Sequence, residues 1–383
     1  MIRKFAIRNF KSLFIDSPIT LSEKLNVFIG LNGVGKSTLL QAIDFVVHLV
    51  LGYSKWLDKR QWLSSDLVCK LKKPGEKGMS QLIEYELLFD SCKISYNGSF
   101  NFQKERCTKE EISAEIDGKE YSCHVAAQSL FVPFLDKFKL SLEMIQYKGS
   151  AFSAILPPPL SKEVLDIFEA CRSLELLNPK QMRSRVRMLS SRGVGIGGEQ
   201  LSLFLHSLPK EDQDAIMRIM SRFYPSFQIF KIVKLRGGAK RLEINEKFMD
   251  GSSLTSEALH VCDGVLRVLS IVAETYAFKG GTILIDEIDD GINPELLEKL
   301  IEYLKTEAPC QVIVTTHNPF ILSCLTDKEA TDSVFLTYKK SNGRSGVVPF
   351  FSLPEPRELL EGLYPGEVML QVNLEDVAQS VKD

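Results

Sequence analysis

An α/β fold, interrupted by a β-rich insertion and a helical segment, is the architecture that this sequence predicts. Near the N-terminus, the apolar run "LNVFI" is typical of a buried strand, and it is followed by a glycine-rich turn and an apolar helical pattern. Late in the chain, the strand patterns "TILID" and "QVIVTTH" flank the helical pattern "PELLEKLIEYLKTEA". Because these two regions lie far apart, we expect one α/β core that is discontinuous in the chain.

Changes of pattern along the 383 residues predict the domain boundaries. Two-residue turns at Asn97-Gly98 and Asp117-Gly118 predict hairpins in the insertion. The prolines of "LPPPLS" mark the start of a mainly helical stretch, which includes "CRSLELL" and "PKQMRSRVRMLSS" and leads into a hairpin at Gly237-Gly238. The expected units are an α/β core (1–60 with 250–350), a β-rich insertion (61–155), a helical lobe with a basic hairpin (156–249) and a C-terminal tail (351–383).

Composition excludes several classes of protein. The chain is 44% hydrophobic and 25% charged, and its formal net charge of −2 is not that of a protein built to coat nucleic acid. The eight cysteines form no C-x-x-C pair, which favours thiols in a reducing compartment. The N-terminus is too polar for a signal peptide, and the longest apolar stretch is too short to span a bilayer. We therefore expect a cytoplasmic protein that does not contact membranes.

The glycine-rich turn "GLNGVGKST" fits the pattern G-x-x-x-x-G-K-[ST] at Gly30, Gly35, Lys36 and Ser37. In this pattern, backbone N–H groups at a helix N-terminus hold nucleotide phosphates. The alternative is a strand-to-helix turn without a ligand, but the flanking strand and helix favour the phosphate site. The predicted nucleotide-binding residues of this P-loop are Gly30, Asn32, Gly33, Gly35, Lys36, Ser37 and Thr38.

Two later strands carry polar residues at their ends. Asp286 and Glu287 follow "TILI", and His317 follows "VIVTT". A carboxylate at a strand end beside a P-loop is placed to bind Mg²⁺ together with the Ser37 hydroxyl, and the next acid is placed to activate water. We expect the strand before His317 to lie beside the strand before Asp286, which would let His317 reach the γ-phosphate. Adjacent acids and a lone histidine are also common as purely structural features of strand ends.

The order of these motifs resembles the ABC-type ATPase heads of the RecF, SMC and OLD families. The resemblance rests on "FAIRNFKSL", "VFIGLNGVGKSTLLQAI", "CDGVLRVLSIV", "ILIDEIDDGINPELLEKLI" and "VIVTTHNPF", and it is greatest for stand-alone bacterial AAA-type ATPases, many of which act in phage defence. It implies ATP and Mg²⁺ as cofactors. The roles that it implies are phosphate neutralisation by Lys36, Mg²⁺ binding by Ser37, Asp286 and Gln146, general base catalysis by Glu287, and a γ-phosphate switch at His317.

Such heads form a dimer that encloses ATP, in which the glycine helix of one head contacts the γ-phosphate held by the other. The resemblance assigns this contact to Gly264 and Arg267, and it places Asp289 and Asp290 in the loop that touches the dimer partner. The serine that is usual in this motif is Cys262 here, and a thiol is a weaker hydrogen-bond donor than a hydroxyl. We therefore expect slow turnover.

The resemblance favours an ATP-dependent, dimerising switch that controls a separate effector protein such as a nuclease, in bacterial anti-phage defence. One alternative is a RecF-like DNA clamp or loader that contacts phosphates through Arg183, Arg185 and Arg187, although charge runs are more often solvated surface. Another alternative is a scaffold that binds ATP without hydrolysing it. No guanine-reading N-K-x-D motif is present, so ATP is preferred to GTP.

Overall fold

The N-terminal segment supplies three strands and the longest helix. The computed structural model describes residues 1–71, 81–135, 138–175, 177–187 and 191–381. The first elements, in chain order, are β1 (Ile2–Phe10), β2 (Leu13–Thr20), β3 (Leu25–Ile29) and α1 (Lys36–Arg60). By length and composition α1 is apolar enough to cross a membrane, but 61% of its most apolar window is buried inside the protein. Gly52, at φ 143° and ψ 77°, bends α1 so that Trp56 Nε1 donates a hydrogen bond back to Asp44 Oδ2 at 2.5 Å.

The predicted β-rich insertion contains an antiparallel meander, in which each strand pairs with the next. Its strands are β4 (Leu82–Phe89), β5 (Ser95–Asn101), β6 (Arg106–Ile116), β7 (Lys119–Ala126), β8 (Ser129–Val132) and β9 (Phe138–Ser141). Asp117 and Gly118, at φ 51° and 72°, form the tight turn between β6 and β7, as predicted. The prediction for Asn97-Gly98 is wrong, because both residues lie inside β5.

The middle of the chain combines short helices with a second sheet. Its elements are α2 (Leu160–Glu169), β10 (Cys171–Leu174), α3 (Pro179–Met182), α4 (Leu201–Ser207), α5 (Lys210–Phe223), β11 (Phe227–Lys234), β12 (Lys240–Lys247) and β13 (Ser253–Glu257). The hairpin at Gly237-Gly238 joins β11 to β12 as predicted, and β13 completes a three-stranded sheet.

The C-terminal part returns to alternating helices and strands. Its elements are α6 (Asp263–Ala277), β14 (Thr282–Ile285), α7 (Pro294–Thr306), β15 (Gln311–Thr315), α8 (Pro319–Ser323), α9 (Asp327–Ser333), β16 (Val334–Lys339), β17 (Ser345–Pro349), α10 (Pro354–Leu359), α11 (Pro365–Gln371) and α12 (Leu374–Ser380).

A large sheet joins both ends of the chain. Within the described ranges it has 14 strands in the order β10-β14-β15-β3-β16-β17-β2-β1-β4-β5-β6-β7-β8-β9. The first five strands are parallel to one another, so the loops that follow β3, β14 and β15 lie at the same edge of the sheet. This edge receives the P-loop, the acidic strand end and His317.

The parallel strands are buried on both faces, which explains why they read as continuous apolar runs. Phe28, Leu284 and Phe335 pack with α1 on one face. Val27, Ile29 and the side chains of α6 and α7 form the core on the other. The P-loop strand is therefore fixed on both faces.

Two predicted helices are corrected by the structure. Cys171–Leu174 lies in the predicted helical lobe, but it forms β10 and pairs in parallel with β14 at the edge of the main sheet. Helix α3 ends at Met182, and Val186 pairs with Lys240 across an isolated antiparallel bridge. Because residues 183–187 are not helical, Arg183 and Arg187 do not share a helix face.

Candidate nucleotide-binding site

The glycines of the P-loop adopt backbone conformations that other residues rarely take. Gly30, Gly33 and Gly35 have φ values of 147°, 76° and 109°. A Cβ atom on Gly30 would lie 2.3 Å from the carbonyl oxygen of Thr337, so this position admits no larger residue without movement of β16. The motif thus has a structural reason here for its glycines, in addition to the chemical one.

Lys36 begins α1 and is 8% exposed. Its ammonium group donates hydrogen bonds to the carbonyl oxygens of Gly30, at 2.8 Å, and Leu31, at 3.0 Å. Burial lowers the pKa of Lys36, whereas the nearby carboxylates of Glu287, Asp286 and Asp289 raise it. Because β3 and β14 both flank β15 in parallel, the P-loop lysine and the late acidic segment lie at the same edge of the sheet.

The N-terminus of α1 is open to an anion. Its N-cap is Gly35, which supplies no side-chain cap, and no acidic residue lies in its first turn. Ser37 and Thr38 are partly buried, and Asn32 is exposed on the loop. The first N–H groups of a helix carry partial positive charge and need acceptors, which a phosphate supplies.

The acidic strand end is held by β15. The Thr315 hydroxyl donates to Asp286 Oδ1 and accepts a hydrogen bond from the Glu287 backbone N–H at 2.9 Å. Glu287 is exposed and has a positive φ of 47°, which is uncommon for a residue with a side chain. The residue after β15, Thr316, donates to Asp289 Oδ1 at 2.7 Å.

His317 follows β15 and is exposed. Strand β15 lies between β14 and β3, which confirms that it is the neighbour of the strand that ends at the acids. His317 is thus between the P-loop and the acidic strand end in strand order. Its contact with a γ-phosphate stays a prediction.

The start of α6 lies against the acidic loop. A Cβ on Gly264 would be 3.1 Å from the Gly291 carbonyl oxygen, so glycine permits this close approach. Cys262 is the N-cap of α6, is exposed, and makes no side-chain capping hydrogen bond. The thiol at this position is therefore accessible at the surface.

One sequence-predicted binding residue is not placed as expected, and the segment that follows another is anchored away from the P-loop. Arg267 is 6% exposed and donates to the Leu177 carbonyl oxygen at 2.7 Å and to Asp290 Oδ2 at 2.9 Å, so it is not free to reach a second molecule. Gln146 is exposed, and nearby Ser150 N donates to the Leu49 carbonyl oxygen, about 18 Å along α1 from Ser37 at 1.5 Å per residue. Ser150 is therefore anchored at the middle of α1, and the contact of Gln146 with Mg²⁺ stays a prediction.

The end of β10 reaches the same edge of the sheet, which the sequence did not indicate. The Asp286 backbone N–H donates to the Leu174 carbonyl oxygen at 3.2 Å. The next residue, Glu175, is 6% exposed and pairs with Arg60, and its burial raises its pKa. The segment "CRSLE" lacks β-branched residues, so only its pairing with β14 reveals it as a strand.

The predicted DNA-contacting arginines differ in their surroundings. Arg183 pairs with Asp263 at 2.5 Å, and Arg185 pairs with Glu257 at 2.9 Å. Arg187 is exposed. Two of the three positive charges are thus balanced by adjacent acids.

Comparison with protein families gives two matches to this chain. The model described as "AAA ATPase domain" matches residues 1–139. The model described as "AAA domain, putative AbiEii toxin, Type IV TA system" matches residues 198–323. No curated protein sequence matches the chain.

Solved structures share the fold at low sequence identity. The SmcHead bound to the C-winged helix domain of ScpA is 15% identical with a TM-score of 0.56, and the match covers 91% of this chain and 96% of that one. The Smc head domain with an extended coiled coil, bound to the C-terminal domain of ScpA derived from Pyrococcus furiosus, is 13% identical with a TM-score of 0.54, over 91% and 95% of the two chains. These matches concern the fold.

Proposed function

Because the chain has the fold of an ABC-type ATPase head of the SMC and RecF group, we propose that it binds and hydrolyses ATP as a dimerising switch. The observation that carries this proposal is the parallel pairing of β14, β15 and β3, since it puts the loop before α1, with Lys36, and the loop after β14, with Asp286 and Glu287, at one edge of the sheet. A P-loop lysine and a pair of acids at the same sheet edge are the parts that ATP hydrolysis requires.

The residues fit ATP with Mg²⁺. The hydroxyl of Ser37 and the carboxylate of Asp286 are the hard oxygen ligands that Mg²⁺ prefers. When bound, Mg²⁺ would supply positive charge to the phosphate oxygens. Lys36 would exchange its hydrogen bonds to the carbonyl oxygens of Gly30 and Leu31 for the β- and γ-phosphates.

Glu287 is the proposed general base. Its carboxylate would orient a water molecule toward the γ-phosphate and accept its proton as the bond between the β- and γ-phosphates breaks, giving ADP and inorganic phosphate. Thr315 fixes the backbone on which Glu287 sits. His317 would contact the γ-phosphate from the neighbouring strand end.

The proposed active form is a homodimer in which the start of α6 of each copy, with Cys262 and Gly264, faces the nucleotide of the other. Exposure of Cys262 supports this arrangement, because the residue is available to a second molecule. Asp289 and Asp290 lie in the adjacent loop and would contact the partner copy. The burial of Arg267 removes it from this contact.

The proposed output is control of a separate effector protein, such as a nuclease, in bacterial anti-phage defence. The two solved SMC heads are bound to another protein, and one matched family model describes a toxin–antitoxin system, which supports a partner-controlling role. All eight cysteines are free thiols, in agreement with a cytoplasmic location. A DNA clamp has less support, because Arg183 and Arg185 are paired with acids.

Glu287→Gln tests the proposed chemistry. We expect phosphate release to fall at least a hundredfold, since the amide cannot take a proton, while the ATP-bound dimer accumulates on size exclusion with light scattering. Glu298→Gln, at an exposed position of α7, is the matched control and keeps wild-type turnover. Unchanged phosphate release in Glu287→Gln would contradict the role of Glu287 as the general base. If the wild-type protein dimerises with ATP but releases no phosphate, the non-hydrolysing scaffold is favoured instead.

A further inference from the structure

One guanidinium group holds the turn that leads into α6. Arg183 Nε donates to the Ala258 carbonyl oxygen at 3.0 Å. Arg183 Nη2 donates to the Val261 carbonyl oxygen at 2.6 Å and to Asp263 Oδ1 at 2.5 Å. The side chain of Arg183 is 17% exposed, so its two contacts with backbone carbonyl oxygens are partly buried, whereas Asp263 is 55% exposed and its contact lies at the surface. The planar fork of arginine suits several acceptors at once, which a lysine ammonium matches less well.

The turn 258–263 packs Ala258 and Val261 against the hydrophobic core, and Arg183 supplies side-chain hydrogen bonds to its backbone. Cys262 caps α6 without a side-chain hydrogen bond, and within the turn the Val261 N–H donates to the Ala258 carbonyl oxygen at 3.3 Å. Glu257, at the end of β13, is bound by Arg185 and Arg241. Arginine contacts therefore hold the turn at both of its ends.

The segment that carries Arg183 is itself hydrogen-bonded to β12. Three residues later, the Val186 carbonyl oxygen accepts a hydrogen bond from the Lys240 N–H at 2.8 Å, which fastens the segment to β12. Upstream, the same stretch begins at β10, where the Leu174 carbonyl oxygen meets the N–H of Asp286. Arg183 thus belongs to a stretch of chain that also contacts the acidic strand end at Asp286.

We propose that Arg183 is a positioning residue of the composite ATP site, holding the turn 258–263 so that Cys262 and the first N–H groups of α6 meet the nucleotide bound by a second copy. This inference rests on the proposed dimer. Arg183 acts through the turn, because its donors are directed at Ala258, Val261 and Asp263. Arg183 thus belongs to the dimer site rather than to a nucleic-acid surface.

Arg183→Ala is the first test. We expect kcat for ATP hydrolysis to fall at least tenfold while the Kd of the P-loop for ATP, measured on dilute protein, stays within about twofold, because the P-loop is untouched. Arg183→Lys keeps the charge but not the fork, so it should restore only part of the activity. Arg192→Ala is the matched control, since Arg192 is 78% exposed in a surface pair with Glu169 and should keep wild-type activity.

A mixing experiment separates action across the dimer from action within one copy. Lys36→Ala has an impaired P-loop but an intact turn 258–263, and Arg183→Ala has the reverse. In a mixed dimer, the P-loop of the Arg183→Ala copy therefore meets the turn of the Lys36→Ala copy, which gives one intact composite site. An equal mixture of the two inactive variants should recover about a quarter of wild-type activity, because about half of the dimers are mixed. No recovery between folded variants that still dimerise would overturn the inference.

Failure of this inference can be told apart from failure of the proposed function. Normal phosphate release by Arg183→Ala, at wild-type Tm, overturns the role of Arg183 and leaves the ATPase proposal standing. Absence of phosphate release by the wild-type protein, in the presence of Mg²⁺ and ATP, overturns both.

Discussion

Thr315 organises the acidic pair at the scale of single residues. Its hydroxyl donates to Asp286 Oδ1 and accepts from the Glu287 N–H, so one side chain fixes both residues. The sequence identified the acids because two carboxylates followed a buried strand. It did not identify Thr315, since a threonine near a strand end has no distinguishing pattern. The sequence singled out Arg183 as a possible phosphate contact but not its hydrogen bonds to the turn 258–263, because these partners are far away in the chain.

We expect the substitution Cys262→Ser to raise the rate of ATP hydrolysis. A hydroxyl donates a stronger hydrogen bond than a thiol and is also a preferred N-cap, so it should raise kcat by roughly threefold to tenfold. Steady-state phosphate release measures this change. Cys324→Ser is the control, because Cys324 lies after α8 and donates to the Phe320 carbonyl oxygen. Equal or lower turnover in Cys262→Ser would show that the thiol does not limit the reaction.

At the scale of elements, tertiary pairing decides the cases in which local pattern fails. Cys171–Leu174 has helix-forming neighbours, yet β14 offers it a parallel edge and it becomes β10. The pair Asn97-Gly98 is typical of a hairpin turn, yet it lies inside β5, where neighbouring strands leave no room for a side chain at Gly98. A Cβ at Gly98 would lie 2.6 Å from the Lys109 carbonyl oxygen and 2.7 Å from the Tyr85 hydroxyl. Close approach between strands, rather than a turn, explains this glycine.

Strand β6 carries a carboxylate in an apolar setting. Glu110 is 3% exposed, and burial raises its pKa to about 7 from 4.5. It accepts hydrogen bonds from the Tyr96 hydroxyl at 3.0 Å, the Ser150 hydroxyl at 2.5 Å and the Ala151 N–H at 2.7 Å. These bonds join the meander to the segment at Ser150 and Ala151, which contacts α1 through Ser150.

The raised pKa of Glu110 predicts how stability depends on pH. Between about pH 4.5 and about pH 7 the folded protein binds a proton that the unfolded chain has lost, so the free energy of unfolding falls as pH rises. Above about pH 7 the cost of the buried charge is constant. Glu274, whose pKa is also raised to about 7 by burial, adds a trend of the same sign.

Glu110→Gln should therefore flatten this pH dependence. The amide keeps the shape of the group, and the two hydroxyls can accept from it, so the Tm of the variant should exceed that of the wild type at pH 8 by a few degrees. Thermal unfolding at pH 5, 6, 7 and 8 measures the difference. Glu111→Gln, at the exposed next position, should follow the wild-type curve. An equal slope for Glu110→Gln and wild type would show that Glu110 does not titrate in this window.

At the scale of the whole molecule, the early and late parts of the chain form one sheet. Gln311, which begins β15, is fully buried and binds both the N–H and the carbonyl oxygen of Ile2 in β1, each at 2.8 Å. The α/β core and the order of its motifs could be predicted, because glycines, acids and apolar runs leave strong local patterns. The end of β10, the hold of Arg183 on the turn and the inward direction of Arg267 could not, because they depend on contacts between distant segments.

The central claim is that the early P-loop and the late acidic strand end form a single Mg²⁺–ATP site, and calorimetric titration with ATP tests it most directly. The wild type should bind ATP in the presence of Mg²⁺. Lys36→Ala and Asp286→Asn, made in the two distant segments, should each weaken that binding at least tenfold, while the asparagine keeps an acceptor for Thr315. ATP binding by the wild type that neither substitution weakens, or no binding at all, would contradict the account.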